Sequence, residues 1–310
     1  MEKKNPLNLA AIDIGSNGAR LLIKRFEETG GERRVSKVSY LRVPLRLGKD
    51  VFTLGKVSQE RERMMLHMMK AYRQLMKLYD VQDYRACATS AMRDAENGHK
   101  VMKKIKEKTG IRLEIISGEE EARLLAGNLF PYMHEGNCSD EQLPQMTEGA
   151  AYAYVDVGGG STEVSLLCDG RLVESHSYNC GTLRMLSGQV KAETLRLLRE
   201  DLARYAERFS AIRVIGSGGN INKLYKLARL KGSRREMPVE TIRTLHDQLQ
   251  PMSLEERMAH FSLKDDRADV IVPAAEIYLL VAESLGADTI LVPNISLADS
   301  IVDSLARAKC

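Results

Sequence analysis

The sequence predicts an α/β protein made of two similar halves. The first observation is a pair of glycine-rich turns, each preceded by a short apolar run that ends in an acidic residue, over 9–20 and 154–163. The second is that more apolar residues follow each turn, so that each copy is typical of a β-hairpin. The third is that both halves continue from strand-rich to helix-rich patterns. Two copies with an acid in the same position indicate a duplicated domain that holds a ligand between its halves.

The glycine turns are suited to anions. Gly15 opens the first turn, and Gly158–Gly160 form the second. Because glycine has no Cβ, backbone N–H groups can approach one ligand closely, and a concave set of them binds phosphate. Asp156 and Glu163 flank the second turn, and their charge repels phosphate. We therefore expect a divalent cation between these carboxylates and the phosphate oxygens.

The first half continues with alternating strands and helices. We predict a strand over 33–43, a loop over 44–50, a helix from Ser58 to about Tyr79, a strand over 84–88, a helix over 99–108 and a strand over 112–116. Methionines recur at helical spacing in the long helix, and we interpret them as core. Arg93 follows the strand over 84–88, where its guanidinium would suit phosphate oxygens. The alternative is a surface arginine near a helix cap.

Three acidic residues open the next predicted helix, which Ser117 caps. Glu119, Glu120 and Glu121 suit the positive end of the helix dipole, and that is commonly the whole role of such residues. One of them could instead act as a general base for water. The spacing does not show which of the three glutamates would act as the base.

The second half repeats the order of the first. A polar loop over 132–149 is predicted to connect the halves. We then predict strands over 171–178, 212–215 and 289–292, helices over 192–209, 221–230, 239–249, 254–261 and 267–285, and a last helix capped by Ser296. A third glycine-rich turn, over 216–220, could hold an anion or a sugar, or simply allow close packing.

Composition sets broad limits. The 310 residues are enough for two domains, 44% of them are hydrophobic, and the net charge is only +4. No apolar run approaches the ~20 residues that span a bilayer, and the start lacks the apolar core of a signal peptide. The five cysteines are scattered, without the spacing of a zinc site or a disulfide framework. We expect a cytoplasmic protein with no membrane or nucleic-acid partner.

Together these segments resemble the exopolyphosphatase / guanosine pentaphosphate phosphatase family in its short, two-domain form. The resemblance rests on 11–17, 89–93, 117–124, 155–163, 216–223 and 267–271, which occur in the family's order. It implies an actin-like fold, with a mixed five-stranded sheet flanked by helices in each domain and the active site in the cleft between them. The implied domains are 1–124 and 125–295, with the C-terminal helix over 296–310 packing back on the first.

The resemblance also implies roles for individual residues. It maps the catalytic base, which activates water for in-line attack, onto Glu121, and a second catalytic acid onto Asp156. Asp13, Asp156 and Glu163 would hold Mg²⁺ or its water ligands. The implied phosphate-binding residues are Gly15, Ser16, Asn17, Arg20, Arg93, Gly158, Gly159, Gly160, Ser161 and Thr162. Phosphoryl transfer depends mostly on positioning and charge neutralisation, which a metal ion, N–H groups and an arginine supply.

Two segments depart from the family pattern. Gly18 stands where serine is common, and the segment over 296–300 replaces a Gly-Leu-Arg-Glu-Gly run. The expected function is release of orthophosphate from the end of inorganic polyphosphate, in particular short chains. The alternatives are a guanosine pentaphosphate phosphatase, a non-catalytic protein that binds guanosine penta- or tetraphosphate, and an actin-fold ATPase or kinase. Analogy with the family suggests a homodimer.

Overall fold

The chain forms two compact units. The computed structural model describes residues 6–29, 32–127, 150–230 and 235–309. The first unit comprises Met1–Ser117 and Leu297–Cys310, and the second comprises Gly118–Ser296. The division therefore falls before a helix over Gly118–Gly127, whereas the predicted boundary at 124 lies inside that helix. The predicted connecting loop over 132–149 lies outside the described residues.

A mixed five-stranded sheet forms the centre of the first unit. Its strands are β1 (Leu7–Ile14), β2 (Ala19–Thr29), β3 (Glu32–Val43), β4 (Asp83–Ala88) and β5 (Glu114–Ile115). The spatial order is β3-β2-β1-β4-β5, with β1–β2 and β2–β3 antiparallel and β1–β4 and β4–β5 parallel. The central strand β1 is buried along nearly its whole length, as expected for an apolar strand with a neighbour on each side. The predicted first hairpin is confirmed.

Four of the helices of the first unit lie between its strands β3, β4 and β5 in the sequence. They are α1 (Leu47–Leu54), α2 (Gln59–Leu78), α3 (Ser90–Asp94) and α4 (Gly98–Thr109). The Ser58 side chain caps α2 by accepting a hydrogen bond from the Arg61 backbone N–H, as predicted. The methionine stripe is confirmed as core, because Met65, Met68, Met69 and Met76 are buried.

The predicted loop over 44–50 is wrong, because α1 begins at Leu47. Arg46 adopts a left-handed backbone conformation with φ of 54°, which turns the chain sharply into the helix. Val51 and Phe52 then bury one face of α1. The helix is short and lacks a side-chain cap, so the usual sequence signal for a helix start is absent.

The second unit is built on a six-stranded mixed sheet. Its strands are β6 (Ala151–Val157), β7 (Thr162–Cys168), β8 (Arg171–Tyr178), β9 (Ile212–Ser217), β10 (Glu236–Pro238) and β11 (Thr289–Leu291), in the order β10-β11-β9-β6-β7-β8. The second predicted hairpin, β6–β7, is confirmed. The expectation of five strands misses β10, which has only three residues and ends at Pro238. Proline is tolerated at a sheet edge, and so short a strand shows no periodicity.

The helices of the second unit pack around this sheet. They are α5 (Gly118–Gly127), α6 (Thr182–Leu186), α7 (Ala192–Arg208), α8 (Gly218–Ala228), α9 (Val239–Leu249), α10 (Leu254–Phe261), α11 (Asp265–Ala268) and α12 (Ile271–Ser284). The predicted single helix over 267–285 is two helices, α11 and α12. Pro273 explains the break, because proline is accommodated in the first turn of a helix but not in its interior.

The last helix, α13 (Leu297–Arg307), belongs to the first unit and packs against β1, β2 and β4. Lys24 on β2 forms ion pairs with this helix. Its Nζ lies 3.2 Å from a carboxylate oxygen of Asp299 and 3.0 Å from one of Asp303. Among the described residues, no helix has the length and apolarity to cross a bilayer.

Candidate functional site

The first glycine turn, 15–18, joins β1 to β2. Two of its carbonyls accept hydrogen bonds from backbone N–H groups at the start of α1. Ser16 O accepts from Gly48 N at 2.8 Å, and Asn17 O accepts from Arg46 N at 3.0 Å. A trans peptide points its N–H away from its C=O, so these bonds turn the Asn17 and Gly18 N–H groups to the opposite side. In the described structure, the Ser16 and Gly18 N–H groups donate no backbone–backbone hydrogen bond within the turn.

Ser16 adds a hydroxyl to this turn. Its side chain is buried, with 3% of its surface exposed, and its Oγ has no hydrogen-bond partner among the described residues. A buried polar atom that lacks a partner is costly unless a ligand or water satisfies it. The turn therefore has unsatisfied donors of the kind that an oxyanion requires.

The second glycine turn, 158–161, is held in the same way. Gly158 O accepts from Thr182 N at 3.1 Å, and Gly159 O accepts from Leu183 N at 2.8 Å, both at the start of α6. Gly160 O accepts from the buried Arg184 side chain, through Nε at 2.7 Å.

The N–H groups of the second turn again point to the side opposite these bonds. Gly159, Gly160 and Ser161 donate no backbone hydrogen bond in the part of the chain that the structure describes. Each half of the protein thus presents a cradle of backbone donors with its carbonyls bound behind it. Most of the predicted phosphate-binding residues belong to these two turns, and Thr162 begins the strand after the second; its Oγ1 donates to the Cys180 carbonyl.

The two hairpins carry different charges at equivalent positions. Asp13 lies opposite Arg20 in the first, and an ion pair of 2.5 Å joins Asp13 Oδ2 to Arg20 Nη1. Asp156 lies opposite Glu163 in the second. Side chains directly opposite each other on antiparallel strands share a face, with Cβ atoms about 5 Å apart. The first pair therefore balances its own charge, whereas the second places two carboxylates side by side.

Hydroxyl groups hold both carboxylates of the second pair. Ser217 Oγ donates to Asp156 Oδ2 at 3.2 Å, and Ser177 Oγ donates to Glu163 Oε1 at 2.7 Å. The third glycine turn packs directly against Asp156: a Cβ at Gly218, whose φ is +85°, would lie 2.5 Å from Asp156 Oδ1. Close packing is thus one role of this turn.

The donor set at Asp156 and Glu163 fits Mg²⁺. All the donors are hard oxygen atoms, and Mg²⁺ is usually bound through one or two carboxylates, with water and substrate phosphates completing its shell. Nowhere in the described ranges do three or more histidine, cysteine, aspartate or glutamate side chains group around a potential metal position. The two carboxylates therefore suit a Mg²⁺ ion whose other ligands are water and substrate phosphate.

The structure separates the three acids of α5 by burial. Glu119 is exposed and pairs with Arg123 on the same helix, Glu120 is half-buried, and Glu121 has only 7% of its surface exposed. α5 packs against β7 and β8, and Ser165 Oγ on β7 donates to Ala122 O at 3.5 Å. Glu121 is thus the acid that α5 turns toward the protein interior.

Arg93 lies on α3, which starts beside the end of β1, since Thr89 N donates to Ile14 O at 3.1 Å. Its side chain is half-buried, and its Nη1 donates to Ile116 O at 2.7 Å. One guanidinium nitrogen therefore has a structural role, which orients the rest of the group.

Two further arginines contact the glycine turns, and sequence reasoning missed both. Arg184 is the buried donor behind the second turn. The Arg42 guanidinium lies beside the first turn, 3.0 Å from where a Cβ on Gly18 would be. No motif marks either residue. The strand register could have identified Arg42, because Arg42 on β3 lies directly opposite Arg20 on β2.

Comparisons with known proteins find relatives that cover nearly the whole chain. Exopolyphosphatase 2 of Mycobacterium tuberculosis is 26% identical over 328 aligned positions, which cover 96% of this chain and 98% of that protein. A guanosine-5'-triphosphate,3'-diphosphate pyrophosphatase of Photobacterium profundum is 22% identical over 97% of this chain. The crystal structure of an exopolyphosphatase from Cytophaga hutchinsonii superposes with a TM-score of 0.78 at 21% identity, covering 97% of this chain and 98% of the other, and so shows a shared fold.

The chain spans between 26% and 60% of the length of several other curated relatives, the Photobacterium profundum protein included. The predicted fold class, two mixed sheets flanked by helices in an actin-like arrangement, is confirmed. The model of the Ppx/GppA phosphatase family matches residues 26–308, which is nearly the whole chain. The resemblance found from the motifs is therefore confirmed, and the chain belongs to the Ppx/GppA phosphatase family.

Proposed function

We propose that this protein hydrolyses the terminal phosphoanhydride bond of inorganic polyphosphate, in particular of short chains, and releases orthophosphate. The observation that carries the proposal is the pair of glycine turns whose N–H groups are directed away from their bound carbonyls. Backbone donors fixed in this way stabilise negative charge without reorganising during the reaction. A cradle of this kind suits the phosphate groups that polyphosphate carries along its whole length.

Asp156 and Glu163 would hold Mg²⁺. When bound, the ion neutralises negative charge on the phosphate oxygens. Ser217 and Ser177 keep the two carboxylates in place by donating to them. The same metal role for Asp13 stays a prediction; because Asp13 already pairs with Arg20, we assign the cation to the second hairpin.

Glu121 would take the proton from the attacking water. Its burial distinguishes it from Glu119 on the same helix. A carboxylate held on a packed helix loses little freedom when it orients water, which is what general base catalysis requires. A cytoplasmic location and a homodimer also stay predictions.

A second candidate is a guanosine pentaphosphate phosphatase, the activity named for the Photobacterium profundum relative. A cluster of cations beside the third glycine turn favours it. Burial, together with the charges of Lys226 and Arg267, lowers the pKa of Lys223, and Arg267 Nη1 donates to Asn220 Oδ1 at 3.0 Å. Such a cluster would bind a phosphate group away from the second glycine turn, and guanosine pentaphosphate carries phosphate groups at two positions of one nucleoside.

The test is a phosphate-release assay on polyphosphates of graded length and on guanosine pentaphosphate, with Mg²⁺ and with EDTA. We expect release that requires Mg²⁺ and is fastest on short polyphosphates. Glu121→Gln is expected to lower the rate by about 10²- to 10⁴-fold, the usual contribution of a general base. Glu119→Gln is the matched control on the same helix and is expected to retain activity.

Several outcomes would contradict the proposal. Faster release from guanosine pentaphosphate than from any polyphosphate would favour the second candidate. Binding of either compound without release, under any divalent metal, would favour the non-catalytic alternative. Equal losses in the two glutamate variants would refute the assignment of the base to Glu121.

A further inference from the structure

Three charged side chains form a row across the first sheet, next to the first glycine turn. Asp13 on β1 lies opposite Arg20 on β2, and Arg20 lies opposite Arg42 on β3. Residues directly opposite each other share one face of a sheet. The row therefore places two guanidinium groups and one carboxylate on the same face of the sheet.

Both guanidinium groups lie beside the glycine turn itself. A Cβ at Gly15 would lie 3.9 Å from Arg20 Nη1, and a Cβ at Gly18 would lie 3.0 Å from Arg42 Nη2 and 3.2 Å from its Cζ. The two arginines thus reach the two ends of the turn that carries the Ser16 and Gly18 N–H donors.

Gly18 leaves room for this position of Arg42. A side chain at residue 18 would also meet the Val43 carbonyl at 3.1 Å, so the guanidinium and the side chain compete for one space. The backbone of Gly18 is not in the left-handed region, so a serine there would not strain the chain. A side chain at this position would therefore require a small shift of the Arg42 guanidinium away from the turn.

We propose that Arg42 is a phosphate-contacting residue that sets specificity for inorganic polyphosphate, and that the absence of a side chain at Gly18 keeps it in position. This inference rests on the proposed function. A hydroxyl at residue 18 would offer one neutral donor, whereas Arg42 offers a permanent charge and a planar fork that matches two phosphate oxygens. Having Arg42 in place of a hydroxyl at residue 18 favours substrates with a high density of negative charge. It therefore favours chains of phosphate over phosphate monoesters.

The experiment measures binding of imidodiphosphate, whose P–N–P bridge resists hydrolysis, together with KM and kcat for phosphate release from tripolyphosphate. The variants are Arg42→Gln, Arg42→Lys, Gly18→Ser and the double variant of Gly18→Ser with Arg42→Gln. Arg34→Gln, an exposed arginine on the same strand, is the control. Thermal unfolding of each variant separates loss of binding from loss of fold.

We expect Arg42→Gln to weaken imidodiphosphate binding by about 10- to 100-fold, the loss typical of a charge-assisted contact, and to raise KM more than it lowers kcat. Arg42→Lys should fall between the wild type and Arg42→Gln, and Arg34→Gln should match the wild type. Gly18→Ser should weaken binding by about tenfold in the wild type but by less than about twofold when Arg42 is already glutamine, because it acts by displacing Arg42.

If Gly18→Ser weakens binding equally with arginine and with glutamine at position 42, residue 18 does not act through Arg42. If Arg42→Gln binds imidodiphosphate as well as the wild type does, Arg42 does not contact phosphate. If the unaltered protein neither binds imidodiphosphate nor releases phosphate, the proposed function falls and this inference with it. If the unaltered protein does both and the Arg42 variants match it, only this inference falls.

Discussion

Replacing Gly181 by alanine tests whether the start of α6 fixes the second phosphate cradle. Gly181 has an extended backbone, with φ of −136°, so a side chain there costs no backbone strain. A Cβ would nevertheless lie 2.5 Å from both Gly160 N and Ser161 N, and 2.6 Å from Gly159 C. These atoms are the backbone of the cradle, which no rotamer change can move.

The size of the effect follows from these distances. Ordinary van der Waals contact begins at 3.4 Å, so α6 and the turn must separate by about 0.9 Å. Overpacking of this kind typically costs about 1–3 kcal/mol of stability. A displacement of about 1 Å at a catalytic site can cost about 10²-fold in rate. We therefore expect Gly181→Ala to remain folded but to lose about two orders of magnitude in kcat/KM for tripolyphosphate.

Gly188→Ala is the matched control. Gly188 follows α6, has φ of +66°, and has no neighbouring atom within 4 Å of where a Cβ would lie. An alanine in the left-handed region costs about 1–2 kcal/mol, so the control loses stability without disturbing the cradle. Phosphate release and thermal unfolding are measured on both variants. The reasoning is refuted if Gly181→Ala retains full activity, or if Gly188→Ala loses as much activity as Gly181→Ala.

Three further predictions concern single side chains. The buried Tyr72 hydroxyl has no hydrogen-bond partner among the described residues. Tyr72→Phe should therefore leave the stability measured by thermal unfolding unchanged or raise it by up to about 1 kcal/mol. A clear loss of stability would show that the hydroxyl forms a hydrogen bond. Lys24→Met leaves Asp299 and Asp303 facing each other without their shared cation, so it should cost about 2 kcal/mol and speed proteolysis at α13. Burial already raises the pKa of Asp303, so we expect this loss to be larger at pH 7.5 than near pH 4.5, where more of the Asp303 carboxyl is protonated. Equal losses would contradict the reasoning. Burial raises the pKa of the Cys180 thiol to about 11, so iodoacetamide at pH 8 should leave it unmodified in the native protein, as measured by mass spectrometry, and rapid labelling would contradict its burial.

The parts of the fold that the sequence predicts are those with a local cause. The apolar runs of β1 and β6, the Ser58 cap and the methionine stripe of α2 each depend on neighbouring residues, and all are present. Glycine turns between apolar runs predicted both hairpins correctly. These signals depend on short-range geometry, which a single sequence contains in full.

The elements that were missed depend on distant contacts. α1 begins at the strained Arg46, whose N–H is bound by the Asn17 carbonyl, and β10 exists only because β11 pairs with it. The role of Arg184 behind the second cradle depends in the same way on a carbonyl 24 positions earlier in the chain. Tertiary contacts of this kind override local propensity, and composition does not show them.

The difference between the two hairpins explains why a repeated motif predicts the backbone better than it predicts the chemistry. Both copies keep the acid, the glycine turn and the support from a short helix, because these fix the direction of the N–H groups. One position differs in charge: Arg20 stands opposite Asp13, where Glu163 stands opposite Asp156. The first hairpin therefore balances its own charge, whereas we expect the second to need a cation beside its two carboxylates when a phosphate group binds in its cradle. If Glu163 were replaced by glutamine, one carboxylate of the cation site would be lost while the cradle stayed intact. The Mg²⁺ concentration needed for half-maximal phosphate release should then rise several-fold, with little change in thermal stability, and an unchanged Mg²⁺ requirement would show that the cation is bound elsewhere.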